Sequence, residues 1–218
     1  MAQIRPPIIS EFTMLKKLLH LDSSILGGHS VSRELSASVV ARLTAADPTI
    51  QVVYRDLAAT PIPHLSGAYL AAGQAGDKGQ APEVQHDRAL GAAVMDEFLA
   101  ADVVVIGVAF YNFTIPTQLK AWIDRLAIAG KTFAYTDKGP VGLAGGKRVV
   151  LAVARGGDYG PGSPVESFEH AETYLRNLFM FFGIPSVEVV SANGVAAGPA
   201  AREAALSNAH EEVAALAA

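Results

Sequence analysis

The apolar positions of this chain fall in short runs rich in β-branched residues. They cover residues 14–21, 103–109, 148–154 and 187–191, with a weaker run at 50–54. Runs that are apolar on consecutive rather than alternate residues predict strands buried on both faces of a parallel sheet. Segments of helical character lie between and after them, at 32–45, 82–100, 117–129, 165–182 and 199–216. A strand–helix unit is thus repeated along the chain, and each crossover between parallel neighbours must pack back onto the sheet. The pattern predicts an α/β single domain, with a five-stranded, doubly wound parallel sheet and helices on both faces.

Punctuation refines this reading. Pro116 sits near the first turn of the third helix, and Gly130 is placed to end it with a left-handed cap. Residues 61–81 are rich in Ala, Gly, Pro and Gln. They read as a long mobile loop between the second strand and the second helix, either a lid or padding. Met14 directly precedes the first strand-like run, so residues 1–13 are expected to be an N-terminal tail outside the fold, and residues 14–218 the folded domain.

Composition narrows the chemistry. Seventeen Lys and Arg stand against 21 Asp and Glu, a net charge of −4, which offers no general attraction to nucleic acid or acidic lipid. The longest apolar stretch, residues 103–113, falls far short of the roughly 20 residues of a membrane-spanning helix. No secretory leader is visible at the start, so a cytoplasmic protein is expected, with no nucleic-acid and no membrane partner. There are no cysteines. Disulfides, thiolate nucleophiles and thiol redox chemistry are excluded together, and any redox function requires a bound cofactor.

In a doubly wound sheet, ligands sit beyond the carboxyl ends of the strands where strand order reverses, so the loops there carry the candidate chemistry. After the first strand comes Asp22-Ser23-Ser24-Ile25-Leu26-Gly27-Gly28-His29-Ser30-Val31-Ser32, running into a helix. Small residues, hydroxyls and a helix N-terminus make a plausible phosphate cradle. The loop lacks both the dinucleotide fingerprint and the P-loop lysine, which suits a phosphomonoester such as that of FMN. A plain alternative is that Ser30 or Ser32 only caps the helix.

After the third strand, Phe110-Tyr111-Asn112-Phe113 can wall a planar heterocycle, although aromatic core packing is the competing reading. After the fourth, Ala154-Arg155-Gly156-Gly157 can turn backbone N–H groups toward a ligand, or can be an ordinary glycine turn with a surface arginine. A serine hydrolase is disfavoured because G-x-S-x-G is absent, and the six histidines show no metal-ligand spacing, so no metal site is expected.

These segments carry a resemblance. Asp22 to Ser32, the Tyr-Asn-Phe-x-Ile-Pro-x-x-Leu-Lys-x-Trp-Ile-Asp stretch at 111–124, Gly130-Lys131-Thr132-Phe133-Ala134-Tyr135 with Gly139-Pro140-Val141-Gly142-Leu143, Arg155-Gly156-Gly157 and Phe182-Gly183-Ile184 are similar to the FMN-dependent NADH:azoreductase and quinone reductase family. The resemblance implies a flavodoxin-like fold. It implies that Ser24 with Ser30, Val31 and Ser32 holds the FMN phosphate, and that Phe110, Tyr111, Asn112, Phe113, Ala154, Arg155, Gly156 and Gly157 hold the isoalloxazine. It further implies a homodimer with FMN sites at the interface and Tyr135 reaching the partner's flavin.

The implied reaction is ping-pong. NADH or NADPH passes hydride to flavin N5, and a quinone or aromatic azo compound then takes it, with no side chain required as a catalytic nucleophile or base. The alternative is a flavodoxin-like electron carrier that holds FMN without oxidising NAD(P)H directly. Two positions depart from the family pattern: Ala109-Phe110 stands where Pro-Met is usual, and Ala154 where Ser is frequent.

Overall fold

The computed structural model describes residues 16–75 and 80–217. The proposed tail, the first two residues of the predicted first strand and residues 76–79 of the 61–81 segment lie outside the described residues.

Five strands form the main sheet: β1 (Lys17–Asp22), β2 (Gln51–Asp56), β3 (Val103–Ala109), β6 (Arg148–Arg155) and β7 (Val187–Asn193). Their spatial order is β2-β1-β3-β6-β7, with every pairing parallel. The chain leaves β1 for one neighbour and later returns to its other side, so strand order reverses between β1 and β3. That is where a doubly wound sheet opens a crevice.

Period-two geometry divides the apolar side chains between two layers. From β3, Val104, Ile106 and Val108 face one core and Val103 and Val105 the other. The first core is closed by α3 (Pro82–Ala100), α4 (Thr117–Asp124) and α5 (Ala171–Phe181), the second by α1 (Val31–Ala46) and α6 (Pro199–Ala215). Proline at the start of α3 and α6 fits positions whose N–H has no helical partner. Among the described residues no helix is long and apolar enough to cross a membrane.

The structure corrects the sequence reading in four places. Within 61–81, a helix, α2 (Gly67–Ala75), interrupts the expected loop. It is anchored by tertiary contacts that local composition does not report: the fully buried Arg125 stacks 4.1 Å from the Tyr69 ring centre and donates to the Pro63 carbonyl (2.7 Å) and Asp87 (2.9 Å). The third predicted helix ends at Asp124, not at Gly130. The fourth begins at Ala171, after a separate 3-10 turn at Glu166–Phe168.

Finally, residues around the resembling Gly-Lys-Thr-Phe-Ala-Tyr segment form an antiparallel hairpin, β4 (Phe133–Thr136) with β5 (Gly139–Gly142). The hairpin lies against the end of α5 so closely that a Cβ on Gly142 would stand 2.0 Å from the Gly183 nitrogen. Backbone-to-backbone contact of this kind explains why both positions are glycine.

Candidate functional site

Asp22 ends β1 buried, and the backbone that follows is tied to β3, because Ser23 donates from both its N–H and its Oγ to the Gly107 carbonyl (3.2 and 2.7 Å). Gly107 is required there. A Cβ on it would lie 2.4 Å from Asp22 Oδ1 and 3.0 Å from the Ser32 carbonyl and Ser36 Oγ. The missing side chain lets β1, β3 and the first turn of α1 converge.

The loop then makes a 3-10 turn at Gly27–His29 and enters α1 through Ser30, whose Oγ accepts from the Arg33 N–H (3.4 Å) and lies 3.1 Å from Ser32 Oγ. Ser30 is therefore a cap. Capping does not exhaust the helix end, because among the described residues no hydrogen bond uses the N–H of Val31 or Ser32. The Val31 side chain is buried in the second core, which leaves its backbone as its contribution to the cleft.

Ser24 is fully buried, and its Oγ accepts from the Leu26 N–H (3.2 Å) and meets the Tyr111 hydroxyl at 3.1 Å. It braces two loops. Tyr111 in turn pairs with Thr114 across a two-residue turn whose central residues, Asn112 and Phe113, have φ of 47° and 72°. Two successive positive φ values are the signature of a type I′ turn. Asn adopts this backbone readily, whereas an aromatic there is an outlier of the sort that clusters at functional sites. The turn leaves Phe113 45 % exposed, against Phe168 and Tyr159 with ring centres 5.2 and 6.2 Å away. Phe110 packs at 4.8 Å from Tyr159, filling the departure from the family pattern with an aromatic pair.

At the end of β6, the Arg155 guanidinium stands 5.9 Å from the Phe110 ring centre. It is buried and donates to Asn193 (3.1 Å), Glu169 (3.1 Å) and Glu172 (2.9 Å). The carbonyls of Arg155, Gly156 and Gly157 accept from Val195, Ala196 and Gly194, whereas among the described residues no hydrogen bond uses the N–H of Gly156 or Gly157. Donors without protein acceptors thus remain on this turn as on the start of α1.

One cleft of about 320 Å³ gathers Ser24, Ser30, Val31, Ser32, Phe110, Tyr111, Ala154 and Gly156. Asn112, Phe113, Arg155 and Gly157 do not line it. Sequence reading missed Leu26, His29, Val195, Ala196 and Arg202, which do. The loop after β7 had a signal, since it too leaves the carboxyl edge of the sheet between Gly194 and Gly198. Nothing local marked Arg202.

Behind the cleft, Arg33 donates to both Asp56 oxygens (2.6 and 2.7 Å) and to the Ser24 carbonyl (2.8 Å). That bond with Asp56 raises Arg33 and holds Asp56 down at about 2. The Tyr54 hydroxyl donates to Asp22 (3.0 Å), and burial together with the Asp22 charge pushes it up to about 12.

Comparison with known proteins agrees with this geometry. Residues 16–217 match the model of a family described as flavodoxin-like fold. A protein of Xanthomonas campestris named FMN-dependent NADH:quinone oxidoreductase is 62 % identical over 92 % of this chain and 98 % of its own length. One of Methylorubrum populi with the same name is 60 % identical over the same shares of the two chains. Among solved structures, an azoreductase of Bacillus anthracis superposes with a TM-score of 0.82 at 33 % identity, covering 91 % of this chain and 97 % of that one. An FMN-dependent NADH-azoreductase of the same species, solved with FMN, gives 0.82 at 27 % identity, covering 91 % and 96 %. The chain belongs to the flavodoxin-like family, in the branch whose members are named FMN-dependent NADH:quinone oxidoreductase.

Proposed function

We propose that the protein is an FMN-dependent NAD(P)H oxidoreductase that reduces quinones and aromatic azo compounds. One observation carries the reading: a single cleft collects the loops after β1, β3 and β6 and borders backbone donors that no protein group uses. The donor set fits FMN. N–H groups at a helix start beside the Ser30 and Ser32 hydroxyls suit a phosphomonoester, and the aromatic faces of Phe110 and Tyr111 opposite the small Ala154 and Gly156 suit a flat ring. FMN held there would supply two-electron redox chemistry between NADH or NADPH and the acceptor.

The side chains then have distinct duties. Ser30, Val31 and Ser32 bind the phosphate, while Ser24 acts through Tyr111 by fixing the loop. The N–H group of Gly156 stabilises negative charge that grows on the ring edge, from a preorganised backbone. Arg155 holds that turn by its ties to Glu169, Glu172 and Asn193, and Asn112 and Phe113 shape the aromatic rim.

The reading extends to a cytoplasmic homodimer with its flavin sites at the interface. Tyr135 is 75 % exposed on the β4–β5 hairpin, an apolar side chain that a second copy covers.

Steady-state kinetics test the reaction type. With NADH varied at several fixed quinone concentrations, double-reciprocal plots form parallel lines if donor and acceptor use the site in turn. Intersecting lines contradict a shared site.

A further inference from the structure

The first turn of α1 contains an arginine whose charge is already committed. Arg33 is bound to both oxygens of Asp56 and to the Ser24 carbonyl, with Asp22 at 3.7 Å. It braces the loop after β1 and offers no charge to a ligand.

A second arginine reaches the cleft from the far end of the chain. Arg202 lines it together with Ser30, Ser32 and Ala196. It is half-buried, and among the described residues no ion pair or side-chain hydrogen bond engages its guanidinium. Its position is built rather than incidental. Val195 and Ala196 donate to the Arg155 and Gly156 carbonyls (3.1 and 3.0 Å), fixing the loop after β7 onto the end of β6. Proline at 199 starts α6 directly after that loop, and the Arg202 N–H closes the first turn on the Gly198 carbonyl at 3.0 Å. The same loop that walls the cleft therefore sets where the arginine stands.

A guanidinium stays charged at any relevant pH, and bidentate recognition of phosphate is what its planar fork does best. The start of α1 on the same cleft presents hydroxyls and unused N–H groups but no formal positive charge. We infer that Arg202 supplies that charge, pairing with the phosphomonoester of FMN held at Ser30–Val31–Ser32, and so sets the preference for FMN over riboflavin. The inference rests on the cofactor reading above.

The test is a flavin fluorescence titration of the wild-type chain, Arg202→Met and Arg202→Lys, with FMN and with riboflavin, each at low and high salt. A half-exposed charge-assisted contact puts the expected loss at roughly tenfold, about 1.4 kcal/mol. R202M should bind FMN about that much more weakly, with a flatter salt dependence and unchanged riboflavin affinity, and R202K should recover part of the loss. Unchanged FMN affinity in R202M overturns the inference. Equal losses for both flavins also overturn it, because a merely structural role moves the two together. If the wild-type chain binds neither flavin, the cofactor reading itself fails and takes this inference with it.

Discussion

Ser24 Oγ lies 3.1 Å from the Tyr111 hydroxyl, joining the loop that leaves β1 to the loop that leaves β3. The Ile25 N–H donates to the same hydroxyl at 3.3 Å, so one phenol oxygen holds two points of the phosphate loop. Tyr111→Phe keeps the ring and deletes both bonds. A net hydrogen bond contributes about 1 kcal/mol. The expected outcome is FMN affinity reduced about fivefold or more, with unfolding stability lowered by about 2 kcal/mol for the two bonds. Flavin titration alongside urea unfolding separates the two effects, and unchanged FMN affinity would show that the brace is not needed for binding.

The Arg33–Asp56 pair makes stability depend on acid. Asp56 has a folded pKa of about 2, below its ordinary value of 3.8, chiefly because Arg33 bonds to it and secondarily because the Ala58 and Ala59 N–H groups do. A depressed carboxylate pKa stabilises the fold above the unfolded value, and that contribution is lost as pH falls through the folded one. Urea unfolding from pH 6 down to pH 2 should show Asp56 contributing about 1 kcal/mol, reduced by solvent screening of a partly exposed pair, that disappears between pH 4 and pH 2. Asp56→Asn should remove that slope. Identical pH profiles for the variant and the wild type would contradict it.

Gly107→Ala puts a methyl group 2.4 Å from Asp22 Oδ1, in a place closed by the Ser32 carbonyl and Ser36 Oγ. None of these groups is the free end of a long side chain, so the first turn of α1 has to move. Overpacking of this sort costs about 1–3 kcal/mol. Denaturant unfolding should register that loss, and flavin affinity should fall with it because Ser32 shifts. A variant as stable as wild type would mean that the crevice is looser than this geometry allows.

At the turn after β3, Asn112 has φ of 47°. Asn112→Gly should be near neutral in stability, whereas Asn112→Val forces a β-branched residue into a left-handed backbone at a cost of about 1–2 kcal/mol. Thermal unfolding of the two variants reads the difference directly. Equal melting temperatures would show that the turn relaxes without Asn.

Much of the architecture was legible because buried parallel strands announce themselves. Val103–Ala109 is buried at every position, and an uninterrupted apolar run has no other explanation in a chain of this kind. The edge strand β2 gave the weakest signal because Val52, Val53 and Tyr54 are exposed at about half their surface or slightly less. The α2 helix escaped notice because its Tyr69 is held by Arg125, itself paired with Asp87, from distant parts of the chain. In the site, position at the strand ends pointed to loops that line one cleft, but sequence could not say which way Arg155 points. Its guanidinium goes to Glu169 and Glu172, and the cation on the cleft wall is Arg202, in a helix read only as surface. Asn112 was singled out as chemistry, and nothing in the sequence marked its left-handed backbone angle.

The most direct test of the central claim is a visible spectrum of the purified protein reconstituted with FMN, desalted, and mixed anaerobically first with NADH and then with a quinone. The account predicts that retained yellow flavin bleaches on NADH addition and recovers its absorption on quinone addition. Loss of flavin on desalting would contradict the site, and retained flavin that NADH cannot bleach would contradict the reductase, leaving an electron carrier in its place.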